Sequence, residues 1–257
     1  MSGIKIVGLV AAMLVNISMT TTKGQTASYS QVMNDLERVR DHFKPESGRH
    51  VSCRVNYYYS MASDPVHYLD SLTGLYQLAG DSRYSRIGNT ETILSDSVMI
   101  IVYNDDRTMM AGPFVRQGSA GTSGGDIFLN NLDSGFVARN AVALTITASA
   151  GVKTMTFHFS DTSRYYNCSL TYDANSYIPR RLAYVLRGAS GPETGSENRE
   201  KALVTIFFSA YSNTPFDNSA LRVNKYITIG MNGKAFAQPA YTSYHFVQTA
   251  NFPVNIN

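Results

Sequence analysis

Apolar and polar residues alternate along residues 51–61. Val51, Cys53, Val55, Tyr57, Tyr59 and Met61 interleave with Ser52, Arg54, Asn56, Tyr58 and Ser60. Strand side chains point to opposite faces in turn, so this spacing predicts a half-buried β-strand. The same reading gives strands at 66–78, 83–87, 91–94, 98–103 and 108–111. A second run follows at 141–148, 152–160, 164–172, 178–186 and 201–211, with short strands at 226–229 and 241–247. One segment keeps the other period. Tyr29, Val32, Met33, Leu36, Val39 and Phe43 recur at helical spacing and predict an amphipathic helix over 28–43. Ser28 and Gln31 fit a capping box at its start, and Pro45 stops it. Residues 104–107 (NDDR) and 232–234 (NGK) read as hairpin turns. Gly and Ser dominate 118–125, which predicts a loop, with a short helix at 127–132 after it. Residues 187–200 form a long polar connection.

The strand at 98–103 breaks the alternation. Val98, Ile100 and Val102 fall on one face, and Met99, Ile101 and Tyr103 on the other. Neither set is polar, so both faces need a cover. One cover is ordinary core. The sequence leaves open which set meets it and what lies on the other.

Composition narrows the class. Hydrophobic residues are 44% and charged residues 16%, which suits a sizeable core and excludes disorder. No repeat or change of composition divides the chain, so one large domain is the simplest account. Residues 1–25 combine Lys5, an apolar run too short to span a bilayer comfortably, and a small-residue stretch, the pattern of a secretory signal peptide. No later segment is apolar enough to cross a membrane, so the expected product is exported and not membrane-spanning. The leader holds Lys5 and Lys23 and no acid; removing these two from 22 basic residues leaves 20 against 19 acidic, a net of +1. That balance lacks the basic footprint of a nucleic-acid binder. Cys53 and Cys168 lie in predicted strands, where a disulfide and two inert buried thiols are both open readings.

Candidate chemistry is weak at every place it arises. The Gly-rich 121–126 (GTSGGD) resembles a protease serine loop, but no histidine carries a supporting signature, and Asp126 stands where a phosphate loop needs lysine. Residues 173–179 (DANSYIP) start like a calcium loop and lack the glycine and bidentate glutamate that complete one. His42, His50, His67, His158 and His245 are scattered, and Asp105 and Asp106 are turn neighbours rather than a hydrolase pair. The expectation is no enzyme, no catalytic residue, no metal and no cofactor.

Three motifs in order carry a family resemblance. Residues 93–105 hold Ser95–Asp96, an apolar run and Tyr103–Asn104; residues 170–186 hold a strand, a turn and Ile178–Pro179–Arg180; residues 204–221 hold a closing strand and an Asn/Pro turn. In this the chain resembles the LolA-like family of periplasmic lipoprotein carriers over residues 29–221. The resemblance implies a mainly β fold with a covering N-terminal helix, a curved antiparallel sheet forming an incomplete barrel. It also implies an apolar concavity that holds acyl chains, with either face of the 98–103 strand lining it unless the helix fills it. The family's gating arginine, followed by an aromatic, matches Arg83–Tyr84 best, with Arg86 second. The family's tryptophan is absent, and residues 224–257 run past its pattern. The expected layout is a signal peptide at 1–25, a half-barrel domain at 26–223 and a β extension of that domain at 224–257. The expected function is a non-enzymatic periplasmic carrier for a lipid, an acylated lipoprotein or another apolar ligand. The alternative is a periplasmic partner-binding protein whose loops at 118–125 and 187–200 meet another protein.

Overall fold

The computed structural model describes residues 28–44, 46, 48–95, 97–114, 132, 134–187 and 201–253. Helix α1 (Tyr29–Asp41) leads into six strands: β1 (His50–Met61), β2 (Asp64–Ala79), β3 (Ser82–Ile87), β4 (Thr90–Ser95), β5 (Val98–Tyr103) and β6 (Thr108–Pro113). Helix α2 (Ser134–Asn140) precedes β7 (Ala141–Ser149), β8 (Val152–Phe159), β9 (Tyr165–Asp173), β10 (Pro179–Leu186) and β11 (Ala202–Ser212). The rest of the chain makes short 3-10 turns and three short strands, β12 (Ile227–Ile229), β13 (Ala235–Ala237) and β14 (His245–Gln248).

Twelve strands form one sheet in the order β14-β6-β5-β4-β3-β2-β1-β11-β10-β9-β8-β7. It is the curved, unclosed antiparallel sheet that the sequence predicts, with one exception: β14 lies parallel to β6. Strands β12 and β13 pair only with each other. Two runs of sequential hairpins, β1 to β6 and β7 to β11, meet at the β1–β11 ladder, where Val55 faces Phe208 and Tyr57 faces Ile206.

Helix α1 begins where the capping box places it. The Ser28 hydroxyl accepts the Gln31 N–H at 3.3 Å, satisfying one of the helix's unpaired donors. The helix stops at Asp41, earlier than its apolar stripe, yet Phe43 remains buried beyond the end. A polar clamp fixes it to the sheet. Buried Asp35 accepts the Tyr172 hydroxyl at 2.6 Å and the Lys153 ammonium at 3.0 Å. At the far end His42 Nε2 donates to the Ser176 carbonyl at 2.7 Å, leaving Nδ1 to accept from Tyr211 at 3.1 Å.

Residues directly across a ladder share a face, so the two cores can be assigned to sides. The first contains Val32, Leu36 and Val39 of α1 and Val137 of α2. It also holds Cys53 of β1, Tyr76 of β2 and side chains of β8 to β11 such as Phe157, Leu170, Leu182 and Ile206. The second contains Tyr84, Ile93, Ile100, Val102 and Met109 of β3 to β6, packed under Leu221, Tyr226, Ile227 and Phe252. Cys53 pairs with Tyr76 and Tyr76 with Ser85, whereas Tyr84 pairs with Ile93. Ser85 and Tyr84 are neighbours and point apart. The cores therefore lie on opposite faces, at opposite ends of one sheet.

Some elements differ from the sequence reading. Helix α2 falls at 134–140; of the expected helix at 127–132, only Leu132 is described, and it is buried in the helix-side core. The strand expected at 241–247 starts only at His245, because Pro239 opens a 3-10 turn at Pro239–Tyr241. Strand β13 was not predicted; three residues with a single apolar step are too short to show a period. The 1–25 leader and the 118–125 loop lie outside the described residues.

Two substitutions test this scaffold. Leu36→Ala is expected to cost about 3 kcal/mol by opening a cavity in the helix-side core. Asp35→Ala is expected to cost about 2 kcal/mol, since it removes the acceptor of two hydrogen bonds and leaves the buried Tyr172 hydroxyl without one. Urea unfolding checks both, with lower midpoints and unchanged slopes as the result.

Candidate functional site

Strand β5 has different covers on its two faces. Val98, Ile100 and Val102 are 6%, 0% and 0% exposed and belong to the core beneath the C-terminal segment. Met99, Ile101 and Tyr103 point to the helix side and are half-buried. A row runs across that face from Cys53 through Tyr76, Ser85, Thr92 and Ile101 to Met110. The next row runs from Val51 through Leu78, Arg83, Leu94 and Met99 to Gly112. Both rows begin in the helix-covered core and leave it at β3. Among the described residues, that core takes no side chain from β3, β4, β5 or β6. Among the described residues, helix α1 thus packs on one part of this face of the sheet and not on the part formed by β3 to β6. The part of this face beyond the helix-side core is a shelf of half-buried Met99, Ile101, Tyr103 and Met110, with Arg83 half-buried on its inner row beside buried Leu94.

The opposite face is sealed by a tyrosine cluster around Glu91. Glu91 Oε2 accepts from Tyr84 at 3.1 Å and from Tyr226 at 3.3 Å, while Oε1 accepts from Asn104 Nδ2 at 3.1 Å. Tyr244 donates to Asn104 Oδ1 at 2.9 Å, and the Tyr241 ring stacks on Tyr226 with centroids 5.5 Å apart. Burial, then the charge of Glu91, push the Tyr84 and Tyr226 phenols up, and the same two causes bring Tyr241 to about 12. The Tyr84 and Tyr226 phenols therefore keep the protons they donate to the carboxylate at any physiological pH. Asn104, one of the residues that carry the family resemblance, therefore ties β5 to β4 and to the C-terminal segment. Close approach at the sheet edge depends on Gly112, where any Cβ would collide with the Thr249 hydroxyl.

An open groove of about 560 Å³ lies on this sealed face. Ala79, Ser82 and Ser95 form its sheet wall, and residues from Asn218 to Ile229 form the other. Its position had no signal in the sequence, because its two walls lie more than 120 residues apart in the chain.

The remaining candidates resolve into structure. Cys53 and Cys168 are buried free thiols. Burial pushes Cys53 up to about 12 and moves Cys168 in the same direction, so neither supplies a thiolate nucleophile. Asp173 folds the 173–179 turn by accepting the N–H groups of Ser176 and Asn175 and the Ser176 hydroxyl on one oxygen. Its other oxygen takes Arg180 at 2.6 Å. Those bonds, led by the Ser176 and Asn175 amides, hold its carboxyl at about 2. His158 is exposed on β8, and Arg86 is exposed with its Nε on the Gly88 carbonyl at 3.2 Å. Among the described residues no three His, Cys, Asp or Glu side chains gather to hold a metal ion, and no helix is long and apolar enough to cross a membrane.

No family model matches this chain, and no curated protein matches it. Solved structures do. An uncharacterized conserved protein from Thermus thermophilus aligns at TM-score 0.45 and 9% identity, over 85% of this chain and 99% of its own. A LolA superfamily protein from Nitrosomonas europaea aligns at 0.33 and 9%, over 77% and 99%. A putative outer membrane lipoprotein-sorting protein domain from Vibrio parahaemolyticus aligns at 0.32 and 10%, over 74% and 96%.

Two measurements follow from the site's chemistry. Neither cysteine should react with a thiol reagent in the native protein at about pH 8, and both should react once denatured. Asp173 adds stability above its ordinary value of 3.8, and this contribution is lost as pH falls toward about 2. Asp173→Asn should accordingly melt below wild type at neutral pH, with the gap closing by about pH 2 in thermal melts followed by circular dichroism.

Proposed function

We propose that this protein is an exported, non-enzymatic carrier or binding protein for an apolar molecule, working in a Gram-negative periplasm. The ligand class is a lipid, a lipoprotein acyl chain or a similar apolar group. One observation carries the reading: the half-buried apolar shelf of Met99, Ile101, Tyr103 and Met110, on the helix-bearing face of the sheet but outside the helix-side core. Apolar surface left in water costs about 25 cal/mol per Å². A ligand burying ten methylenes there would gain roughly 8 kcal/mol, the scale of a micromolar complex before ordering costs. Arg83 sits on the inner row of this shelf and is the residue proposed to gate it. Val98, Ile100 and Val102 act as the packed backing of the same strand. In this reading residues 1–25 are a cleaved leader, and residues 26–223 and 224–257 form one working unit.

A second reading rests on a different surface. Strand β3 pairs with β2 only from Gly74 onward, and the Thr73 carbonyl accepts the Gly88 N–H, so among the described residues no strand pairs with the outer edge of β2 from Asp64 to Leu72. Val66, Tyr68, Leu69 and Leu72 are 73%, 50%, 59% and 45% exposed there. An extended segment of a partner protein could add to that edge.

Native mass spectrometry of the protein purified from the periplasm, followed by organic extraction, separates the two. The carrier reading expects one bound acyl species per chain. It also expects at least a tenfold loss of fluorescent fatty-acid affinity in Ile101→Asp, with the melting temperature little changed. A clean apo mass that stays unchanged after incubation with lipids would remove the carrier reading and leave the β2 edge as the working surface.

A further inference from the structure

We infer that the groove on the sealed face is a second binding site, and that it takes a small amphipathic anion. Its volume of about 560 Å³ lies within the range of ligand pockets. Its walls divide by chemistry. Leu221 and Ile227 are buried and give an apolar flank, and Ile229 extends it outward toward solvent. The inner wall ends in a pair of hydroxyls, Ser82 and Ser95, with oxygens 2.7 Å apart. At the mouth stands the guanidinium of Arg222, an exposed cation.

The charge balance selects the ligand. Among the described residues the lining holds one guanidinium and no carboxylate. Asp217 is close enough to feel the charge of Arg222, but its oxygens accept the Ser219 N–H and hydroxyl at 2.9 Å each. Among the described residues the Arg222 side chain reaches Asn218 Oδ1 at a marginal 3.5 Å. A planar guanidinium at the mouth of an apolar trough suits a carboxylate head whose tail lies inward. A neutral molecule of the same shape would leave that cation unused. This site is independent of the helix-side shelf. Ala79 and Ser82 pair across the β2–β3 ladder and share the face of Tyr84, whereas Ile101 lies on the other.

The probes are octanoate and octanol, titrated into the isotope-labelled mature chain and followed by methyl and amide chemical shifts. Octanoate is expected to saturate shifts at Leu221, Val223 and Ile227, with at least tenfold higher affinity than octanol. Arg222→Ala should weaken octanoate about tenfold and leave octanol unchanged, while Arg222→Lys should keep most of the affinity. Ile101→Asp should leave the octanoate-induced shifts at Leu221, Val223 and Ile227 unchanged. Equal affinity for the two probes, or indifference of octanoate to Arg222→Ala, would overturn the assignment. So would loss of octanoate binding in Ile101→Asp, which would place that ligand on the helix side.

Discussion

The ladder between β1 and β11 holds together two runs of strands, each built from neighbours in sequence. The partners of this ladder, such as Tyr57 and Ile206, are separated by most of the chain. Closing so long a loop costs entropy that local hairpins do not, so its contacts must recover that cost through burial. The apolar core recovers it on one side, while Tyr58 and Phe207 pack on the other. Val55, Tyr57 and Phe208 face the helices, and α1 lies across the seam. The helix is therefore more than a lid. It covers the place where the two runs join, and its extent decides where the concave face stops being core.

The opening anomaly of the sequence, a strand apolar on both faces, has a structural cause that the sequence could raise but not resolve. Strand 98–103 was legible to the residue, and so was the need for two covers. The identity of each cover was not. Choosing a face requires the register from Cys53 to Met110 across six strands, and register is set by neighbours that no local pattern names. The alternating strands, the capped helix and the NGK turn were readable because period and turn chemistry are local properties. Helix α2 and β13 were not, being too short to repeat. The two carboxylates that fix the covers were also invisible. Asp35 and Glu91 look like surface residues in sequence, and only long-range tyrosines reveal them as buried or part-buried acceptors.

Those carboxylates play matching parts on opposite sides. Each accepts a tyrosine hydroxyl from another element, and each sits where a covering segment meets the sheet: Asp35 on α1 facing β9, Glu91 on β4 under the tail. A buried charge without partners would be expensive, so these contacts discriminate among docking positions more than they add stability. A helix or tail shifted by one residue would strand a carboxylate in an apolar setting. The polar pins give the two apolar covers a single register.

The free edge of β2 has a consequence for how this protein breathes. Along residues 70–73, where the β1–β2 register is regular, the backbone amides point alternately toward β1 and away from it, and among the described residues no strand pairs with their outer edge. An amide turned outward there exchanges without breaking the β1–β2 ladder, while its neighbours must wait for the hairpin to open. Hydrogen exchange along this strand should thus carry a two-residue rhythm, fast and slow in turn, that fades at Gly74 where β3 begins to guard the other side.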